Sequence, residues 1–156
     1  MGRISPNYLV EDGVIPRSEI APVLREIESM AKDQGLRVAN VFHAGDGNLH
    51  PLVLYDARER GQEERAEHLG GEILRMCVRR GGSITGEHGV GAEKAAYMAD
   101  MYGEADLETM KWVRAAFDPD EAFNPGKVFP SPPACGEKPE TGRDHPAVKA
   151  GLVERW

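Results

Sequence analysis

Cysteine is scarce in this chain, and long apolar runs are missing from it. Cys77 lies in an apolar helical pattern and Cys135 in a proline-rich stretch, so the two are too few and too differently placed for a disulfide framework. The first ten residues, MGRISPNYLV, contain no apolar run of signal-peptide length. These absences argue against the disulfide-rich secreted and transmembrane classes, and they predict a cytoplasmic protein.

Basic residues are also in the minority. The chain has 19 Lys and Arg against 26 Asp and Glu, which gives a net charge of −7. Because phosphate binding requires concentrated Lys and Arg, nucleic acid is disfavoured as a partner. A chain of 156 residues with 40% apolar and 29% charged content has the composition of a globular protein of single-domain size.

Hydrophobic periodicity predicts alternating strands and helices. The pattern favours a short strand over residues 7–12, then a turn and the candidate N-cap Ser18 before a helix that ends at Gly35. Two further strands surround a glycine-rich centre within residues 36–56, and a second helix follows over residues 61–80. This order predicts an α+β protein in which helices cover one face of an antiparallel sheet.

The carboxyl-terminal part is predicted to be first helical and then irregular. Helical patterns cover residues 93–101 and 104–116, and Trp112 is assigned to the core from its spacing. The three prolines of residues 117–130 indicate an irregular segment docked on the domain. Residues 131–156 are rich in Pro, Gly and charge, and we expect this tail to be disordered.

The stretch HAGDGNLH carries a histidine at each end, His43 and His50. If Asp46 and Gly47 form the centre of a type I′ turn, His43 lies directly opposite His50. Opposed side chains share a sheet face with Cβ atoms roughly 4.5–5.5 Å apart, so the two imidazoles can bind one metal ion. A structural, hydrogen-bonded role for both histidines remains open from the residues alone.

A second glycine-rich stretch, TGEHGVGAEK, places Glu87 next to His88. Zinc and manganese sites take further ligands beside two histidines, so Glu87 is a candidate third ligand. His88 is a candidate general base because imidazole exchanges a proton near neutral pH. The alternative is a mobile loop with incidental charges, since the stretch matches neither the P-loop nor the dinucleotide fingerprint. His68, on the polar side of the second helix, has no assigned role.

Three motifs in order resemble a known family. NVFHAGDGNLHPLVLYD, GGSITGEHGVGAEKAAYM and FDPDEAFNPGKVFP are similar to the C-terminal portion of the FAD-linked oxidases of the vanillyl-alcohol oxidase superfamily. The resemblance is greatest to the branch of the glycolate oxidase flavin subunit and D-lactate dehydrogenase. It covers about residues 7–130.

This resemblance implies a fold and a place in a longer protein. It implies a ferredoxin-like antiparallel sheet with helices on one face, followed by a helical C-terminal segment. Residues 1–130 would form the later part of the cap, or substrate domain, and the segment that returns to the flavin domain. The N-terminal FAD-binding domain is absent from this sequence, so we expect the chain alone to be inactive.

The resemblance also implies site residues. Zinc or manganese would be bound by His43, His50 and Glu87, with His88 as the catalytic base. Asn124 and Lys127 would lie in the segment that contacts the FAD cofactor. The substrate would be a small 2-hydroxy acid of the glycolate or D-lactate type, oxidised to the 2-oxo acid. Leu52 stands where the hydroxyglutarate branch has Asn, which disfavours that substrate.

The expected partners follow from the same resemblance, and two other functions stay open. The partners would be the N-terminal flavin domain and an iron-sulfur subunit, through which the protein would be peripheral to the inner membrane. An unpaired sheet edge would favour a homo-oligomer. The alternatives are a stand-alone hydrolase, in which the same residues hold zinc and activate water, and a non-catalytic binding module.

Overall fold

The computed structural model describes residues 2–130, and it shows an antiparallel sheet with helices. The strands are β1 Asn7–Val10, β2 Gly13–Val14, β3 Arg37–His43 and β4 Asn48–Tyr55. The helices are α1 Ile20–Asp33, α2 Gln62–Arg79, α3 Met98–Met101 and α4 Glu104–Phe117. The predicted α+β, ferredoxin-like class is confirmed, whereas the prediction for residues 131–156 lies outside the described residues.

Strand β4 is the centre of the sheet. It pairs with β3 on one side, from Arg37 opposite Leu54 to His43 opposite Asn48. On its other side β4 pairs with both β1 and β2 in one continuous register. The two short strands are therefore parts of one strand that is interrupted at Glu11 and Asp12.

Pro51, in the middle of β4, explains this interruption. The Glu11 amide donates a hydrogen bond to the Pro51 carbonyl at 3.2 Å. In such an antiparallel pair the partner residue normally donates a bond in return, but proline has no N–H. The Glu11 carbonyl therefore receives no hydrogen bond from Pro51 and is available to a donor other than a backbone amide of β4.

The core lies between the sheet and the helices α1 and α2. Its buried apolar side chains follow the predicted helical spacing on both helices and alternate along β4. They are Val23, Ile27 and Ala31 on α1, Leu69, Ile73 and Cys77 on α2, and Leu49 and Val53 on β4. Burial of each large apolar side chain contributes roughly 1.5–3 kcal/mol. Because strand side chains alternate, Asn48 and His50 point to the opposite face of the sheet.

The chain returns to the edge of the sheet after α2. Val14 and Ser83 exchange two backbone hydrogen bonds, which form a single antiparallel bridge. This bridge lies where a ferredoxin-like βαββαβ order would place its last strand. A second, smaller apolar cluster, which includes Leu74 and Leu107, then attaches α3 and α4 to α2.

Two sequence predictions in these elements are wrong. Ser18 is not the N-cap of α1, because a 3₁₀ turn over Arg17–Glu19 precedes the helix and Glu19 occupies the cap position. Trp112 is not in the core, since 70% of it is exposed. Helix α4 packs through Leu107, which is buried, and this orientation leaves Trp112 on the outer side.

The described residues contain no helix that combines the length and the apolar character needed to cross a membrane.

Candidate metal centre

The turn between β3 and β4 differs from the prediction. The amides of Asp46 and Gly47 both donate to the His43 carbonyl, at 3.1 and 3.0 Å, so four residues make the turn. Gly47 has a positive φ and Asp46 does not, whereas a type I′ turn requires a positive φ at both of its central residues. His43 therefore lies opposite Asn48, and the predicted His43–His50 opposition is wrong.

The two histidines nevertheless lie together. His50 is two residues beyond Asn48 on β4, so it shares a sheet face with His43 and is its diagonal neighbour. Their ring centroids are 5.4 Å apart at right angles. The ring of His88 stacks on that of His50 at 4.9 Å, so three imidazoles form one cluster.

The Glu87 carboxylate lies at the centre of this cluster. Its Oε1 is 3.0 Å from Nε2 of His50 and 3.7 Å from Nε2 of both His43 and His88. His50 is almost fully buried, and the other three side chains are about half exposed. The four residues predicted to form the site are thus brought to one place, with buried ligand atoms on one side and solvent on the other.

The orientation of His50 is fixed by the interruption between β1 and β2. Nδ1 of His50 lies 3.3 Å from the Glu11 carbonyl, the same carbonyl that Pro51 leaves without an amide partner. A carbonyl can only accept, so a His50 ring that binds a metal ion through Nε2 would carry its proton on Nδ1 and donate it to Glu11. Such a partner on the second nitrogen is the usual way in which proteins orient a metal-ligating histidine.

Asp12 fixes the other half of the cluster, the loop that carries Glu87 and His88. This carboxylate is fully buried and accepts hydrogen bonds from four groups of the loop. The donors are the Thr85 hydroxyl at 2.7 Å and the amides of Gly86, Glu87 and His88 at 3.0, 3.1 and 2.8 Å. The loop is therefore wrapped around one oxygen atom, Oδ2.

The charge of Asp12 is stabilised in spite of its burial. Burial alone would raise its pKa, but the hydroxyl and amide donors of the loop together hold the pKa far below its usual range. Lys94, itself buried, places Nζ 3.4 Å from the same oxygen. The carboxylate is consequently an anion at all ordinary pH values.

The pKa of Glu11 is shifted in the opposite direction. Its side chain is buried, and desolvation raises its pKa to about 7, against the opposing effect of the Lys94 charge. The nearby charges of Glu93 and Asp12 make smaller contributions in the same direction as desolvation. These neighbouring carboxyl groups therefore differ widely in pKa, because among residues 2–130 hydrogen-bond donors reach the side chain of Asp12 and none reaches the side chain of Glu11.

An open pocket adjoins the cluster, with Asn48, His43, Gly86 and Glu87 among its lining residues. Oδ1 of Asn48 is the single buried side-chain polar atom in residues 2–130 that has no hydrogen-bond partner. The Asn48 amide lies against Gly86, where an added Cβ would be 2.6 Å from Asn48 Cγ. Glycine is thus required at position 86 for the loop to approach β4.

The arrangement fits a divalent metal ion. Two imidazole Nε2 atoms and one carboxylate oxygen are a donor set that zinc and manganese both accept. The unpaired Asn48 acceptor in the pocket wall fits a bound group that donates a hydrogen bond, such as a coordinated water or hydroxyl. Within the described residues, the ligand atoms that all lie within 4.8 Å of one another belong to Asp12, His50, Glu87 and His88, so His43 stands outside this tightest group.

Asn124 and Lys127 lie apart from this cluster. Both are exposed, and in residues 2–130 no hydrogen bond or ion pair links their side chains to the histidines. Arg114 on α4 donates to the carbonyls of Phe123, Asn124 and Lys127, which fastens the segment to α4. The predicted contact of Asn124 and Lys127 with FAD stays a prediction.

Sequence reasoning missed Glu11, Asp12, Asn48 and Lys94. A signal for two of them was present, because the acidic pair Glu11–Asp12 ends a strand pattern at positions that the sheet buries. Charged residues are almost never fully buried without a partner, so the pair could have been assigned to a site. The partner residues could not be found from the sequence, because they lie more than seventy positions away.

These features define an α+β domain with an imidazole–carboxylate site on the sheet face opposite its helices. Residues 1–128 match the family described as FAD linked oxidases, C-terminal domain. The chain belongs to this family.

Curated relatives agree with this membership. The chain is similar to the glycolate oxidase subunit GlcD of Escherichia coli K12, with 53% identity over 137 residues, which are 88% of this chain and 28% of that protein. GlcD of Bacillus subtilis is 41% identical over 83% of this chain and 27% of its own length. The mitochondrial D-lactate dehydrogenase [cytochrome] of Arabidopsis thaliana is 32% identical over 81% of this chain and 22% of its own length. The chain thus spans between a fifth and a third of these relatives.

Proposed function

We propose that the chain is the C-terminal part of an FAD-dependent oxidoreductase that oxidises a 2-hydroxy acid of the glycolate or D-lactate type. The observation that carries this proposal is the convergence of three imidazoles on Glu87 in a chain of the FAD-linked oxidase family. The metal-hydrolase and binding-module alternatives share the site but receive no support from the relatives.

In this proposal His43, His50 and Glu87 hold a zinc or manganese ion. When bound, such an ion supplies Lewis-acid stabilisation for the hydroxyl oxygen of the substrate. The buried His50 offers Nε2 because Glu11 occupies Nδ1, and Glu87 is turned toward it by the loop. The half-exposed side chains of His43 and Glu87 leave the substrate side of the site open to the pocket.

His88 is the proposed base. Its Nε2 is 3.7 Å from Glu87 Oε1, so it lies beside the ligands with half of its side chain exposed. This position allows Nε2 to accept the proton of the substrate hydroxyl. FAD supplies the hydride acceptor, and the residues of this chain supply orientation and the proton acceptor.

The remaining parts of the proposal concern partners. We assign the segment with Asn124 and Lys127 to the flavin side of the longer protein, and we assign residues 1–130 to its cap. The relatives named as glycolate oxidase subunits are consistent with further subunits, for which an iron-sulfur protein is our proposal. A cytoplasmic location with peripheral membrane contact through that subunit belongs to the same proposal.

A chimeric protein tests this function. In it the chain replaces the matching region of Escherichia coli GlcD, and flavin reduction by glycolate or D-lactate is followed anaerobically by stopped-flow absorbance. We expect His50→Ala and His88→Gln to slow flavin reduction by about 10²–10⁴-fold, because each removes a metal ligand or the proton acceptor. His68→Ala is the matched control, since His68 is exposed on α2.

The outcomes separate the candidate functions. Flavin that stays reducible at an unchanged rate in His50→Ala and His88→Gln would contradict the proposed site. The 156-residue chain alone is expected to be purified without flavin. Ester hydrolysis by the metal-loaded chain alone would instead support the hydrolase alternative.

A further inference from the structure

We infer that Asp12 is a positioning residue of the metal centre, whose carboxylate holds Glu87 and His88 in the orientation in which they meet His50. The inference rests on the proposed function, because it gives Asp12 a role in the geometry of the proposed ligands. Asp12 itself lies outside both histidine-bearing stretches of the sequence.

The hydrogen bonds of Asp12 go to the loop that carries the proposed ligand Glu87 and the proposed base His88. Its Oδ2 accepts from three consecutive amides, those of Gly86, Glu87 and His88, and from the Thr85 hydroxyl. The Thr85 hydroxyl oxygen in turn accepts from the Gly89 amide at 2.9 Å. Both ends of the ligand-bearing turn are therefore attached to Asp12, and a displacement of the backbone at Glu87 away from His50 would break several of these bonds together.

Asp12 is poorly placed to be a metal ligand itself, although its oxygens lie near the cluster. Oδ2 has no free lone pair for a metal ion, since it already serves four donors and faces Nζ of Lys94. Oδ1 accepts from the Glu87 amide at 3.3 Å and lies 3.9 Å from Nδ1 of His50, the nitrogen that Glu11 occupies. The carboxylate thus acts behind the ligands and not among them.

The interruption opposite Pro51 supplies both supports of the site. The Glu11 carbonyl orients His50 from β4, and the adjacent Asp12 carboxylate orients the loop. The two groups belong to consecutive residues of the chain. The nitrogen ligand and the carboxylate ligand are consequently both supported from one short segment between β1 and β2.

The experiment compares metal binding in the wild-type chain and in Asp12→Asn. Zn²⁺ affinity is measured by isothermal titration calorimetry, and Co²⁺ is added in place of Zn²⁺ to record the visible absorption of the ion. We expect Asp12→Asn to weaken Zn²⁺ binding by about 10–100-fold, the usual effect of losing a residue that orients a metal ligand. The Co²⁺ spectrum should change in shape, because the ligands reach the ion from altered directions.

Asp118→Asn is the matched control. Asp118 is also a buried carboxylate that accepts two loop amides, those of Ala122 and Phe123 at 2.8 and 3.0 Å, but it lies on the segment after α4. Its replacement should disturb a loop to a similar extent and leave Zn²⁺ affinity unchanged. Because Asp12→Asn leaves Lys94 buried without its anion, the double variant Asp12→Asn, Lys94→Met is measured as well.

Hydrogen exchange at residues 86–88 completes the test. We expect faster exchange of these three amides in both Asp12 variants, together with the loss of affinity. Faster exchange with an unchanged Zn²⁺ affinity and Co²⁺ spectrum would overturn the inference, because Asp12 would then serve the loop alone. A wild-type chain that binds no Zn²⁺ would overturn the proposed metal site and with it this role of Asp12. That result differs from the previous one, in which the metal site stands and only the role of Asp12 fails.

Discussion

At the scale of single residues, two neighbouring buried carboxyl groups have pKa shifts of opposite sign. Asp12 receives hydrogen-bond donors from the loop, so its pKa is depressed and its anion stabilises the fold. Its contribution is present above the pKa of an unfolded aspartate and is lost only as the pH falls toward the depressed value. Glu11 lacks such donors, and desolvation raises its pKa to about 7. The folded chain therefore binds the Glu11 proton more tightly than the unfolded chain.

Glu11→Gln should change the pH dependence of stability. The stabilisation from protonated Glu11 is complete below its ordinary pKa of 4.5 and is lost as the pH rises through about 7. Glutamine carries no charge at any pH, so the variant should gain stability relative to wild type between pH 5 and pH 8. The expected gain is at most about 3 kcal/mol. Urea unfolding in the presence of a chelator measures it.

Glu28→Gln is the control for this measurement, because Glu28 is exposed on α1. The stability difference between this control and wild type should not depend on pH. If the change in unfolding free energy caused by Glu11→Gln is also equal at pH 5 and pH 8, Glu11 has the same pKa in the folded and the unfolded chain, which contradicts the prediction.

At the scale of elements, the strand period made the histidine pair predictable although the register was wrong. The prediction set His43 opposite His50, and the structure has His43 opposite Asn48. A register change of two residues preserves the face of every side chain, so both imidazoles still meet. The position of the Glu87 loop could not be predicted in this way. It depends on Asp12, which is 75 positions from Glu87, and long-range contacts of this kind leave no local pattern.

Pro51→Ala should weaken the hydrogen bond between Nδ1 of His50 and the Glu11 carbonyl. Alanine restores an amide that can donate to the Glu11 carbonyl, as an antiparallel pair requires, and it would compete with Nδ1 of His50 for that acceptor. We expect ¹⁵N NMR of the zinc-loaded chain at pH 8 to show a hydrogen-bonded proton on Nδ1 of His50 in wild type and a weaker hydrogen bond at this nitrogen in Pro51→Ala. His68 in the same spectrum is the internal reference. A wild-type His50 with its proton on Nε2 would contradict this account of the interrupted strand.

At the scale of the whole molecule, the apolar surface is unevenly covered. The sheet and α1 and α2 enclose the main core, while α4 and the segment after it expose Trp112, Val113, Phe117 and Phe123 by 70, 58, 82 and 67%. Exposed apolar patches are typical of interaction surfaces. This distribution explains why the assignment of Trp112 to the core failed, since helical spacing identifies an apolar face but not what covers it. It also fits the proposal that this side of the chain contacts the rest of a longer protein.

Replacement of Trp112 and Phe117 by serine should separate folding from association. Because both side chains are exposed, the double variant should change the free energy of unfolding by no more than about 0.5 kcal/mol. Leu69→Ala on α2 is the contrasting variant, and loss of that buried side chain should cost about 2–5 kcal/mol. Sedimentation velocity over a range of concentrations should show self-association of the wild-type chain that the serine variant lacks. If the serine variant loses several kcal/mol of unfolding free energy, these side chains pack α4 against the rest of the chain. If both proteins self-associate equally, the apolar side of α4 is not the interaction surface.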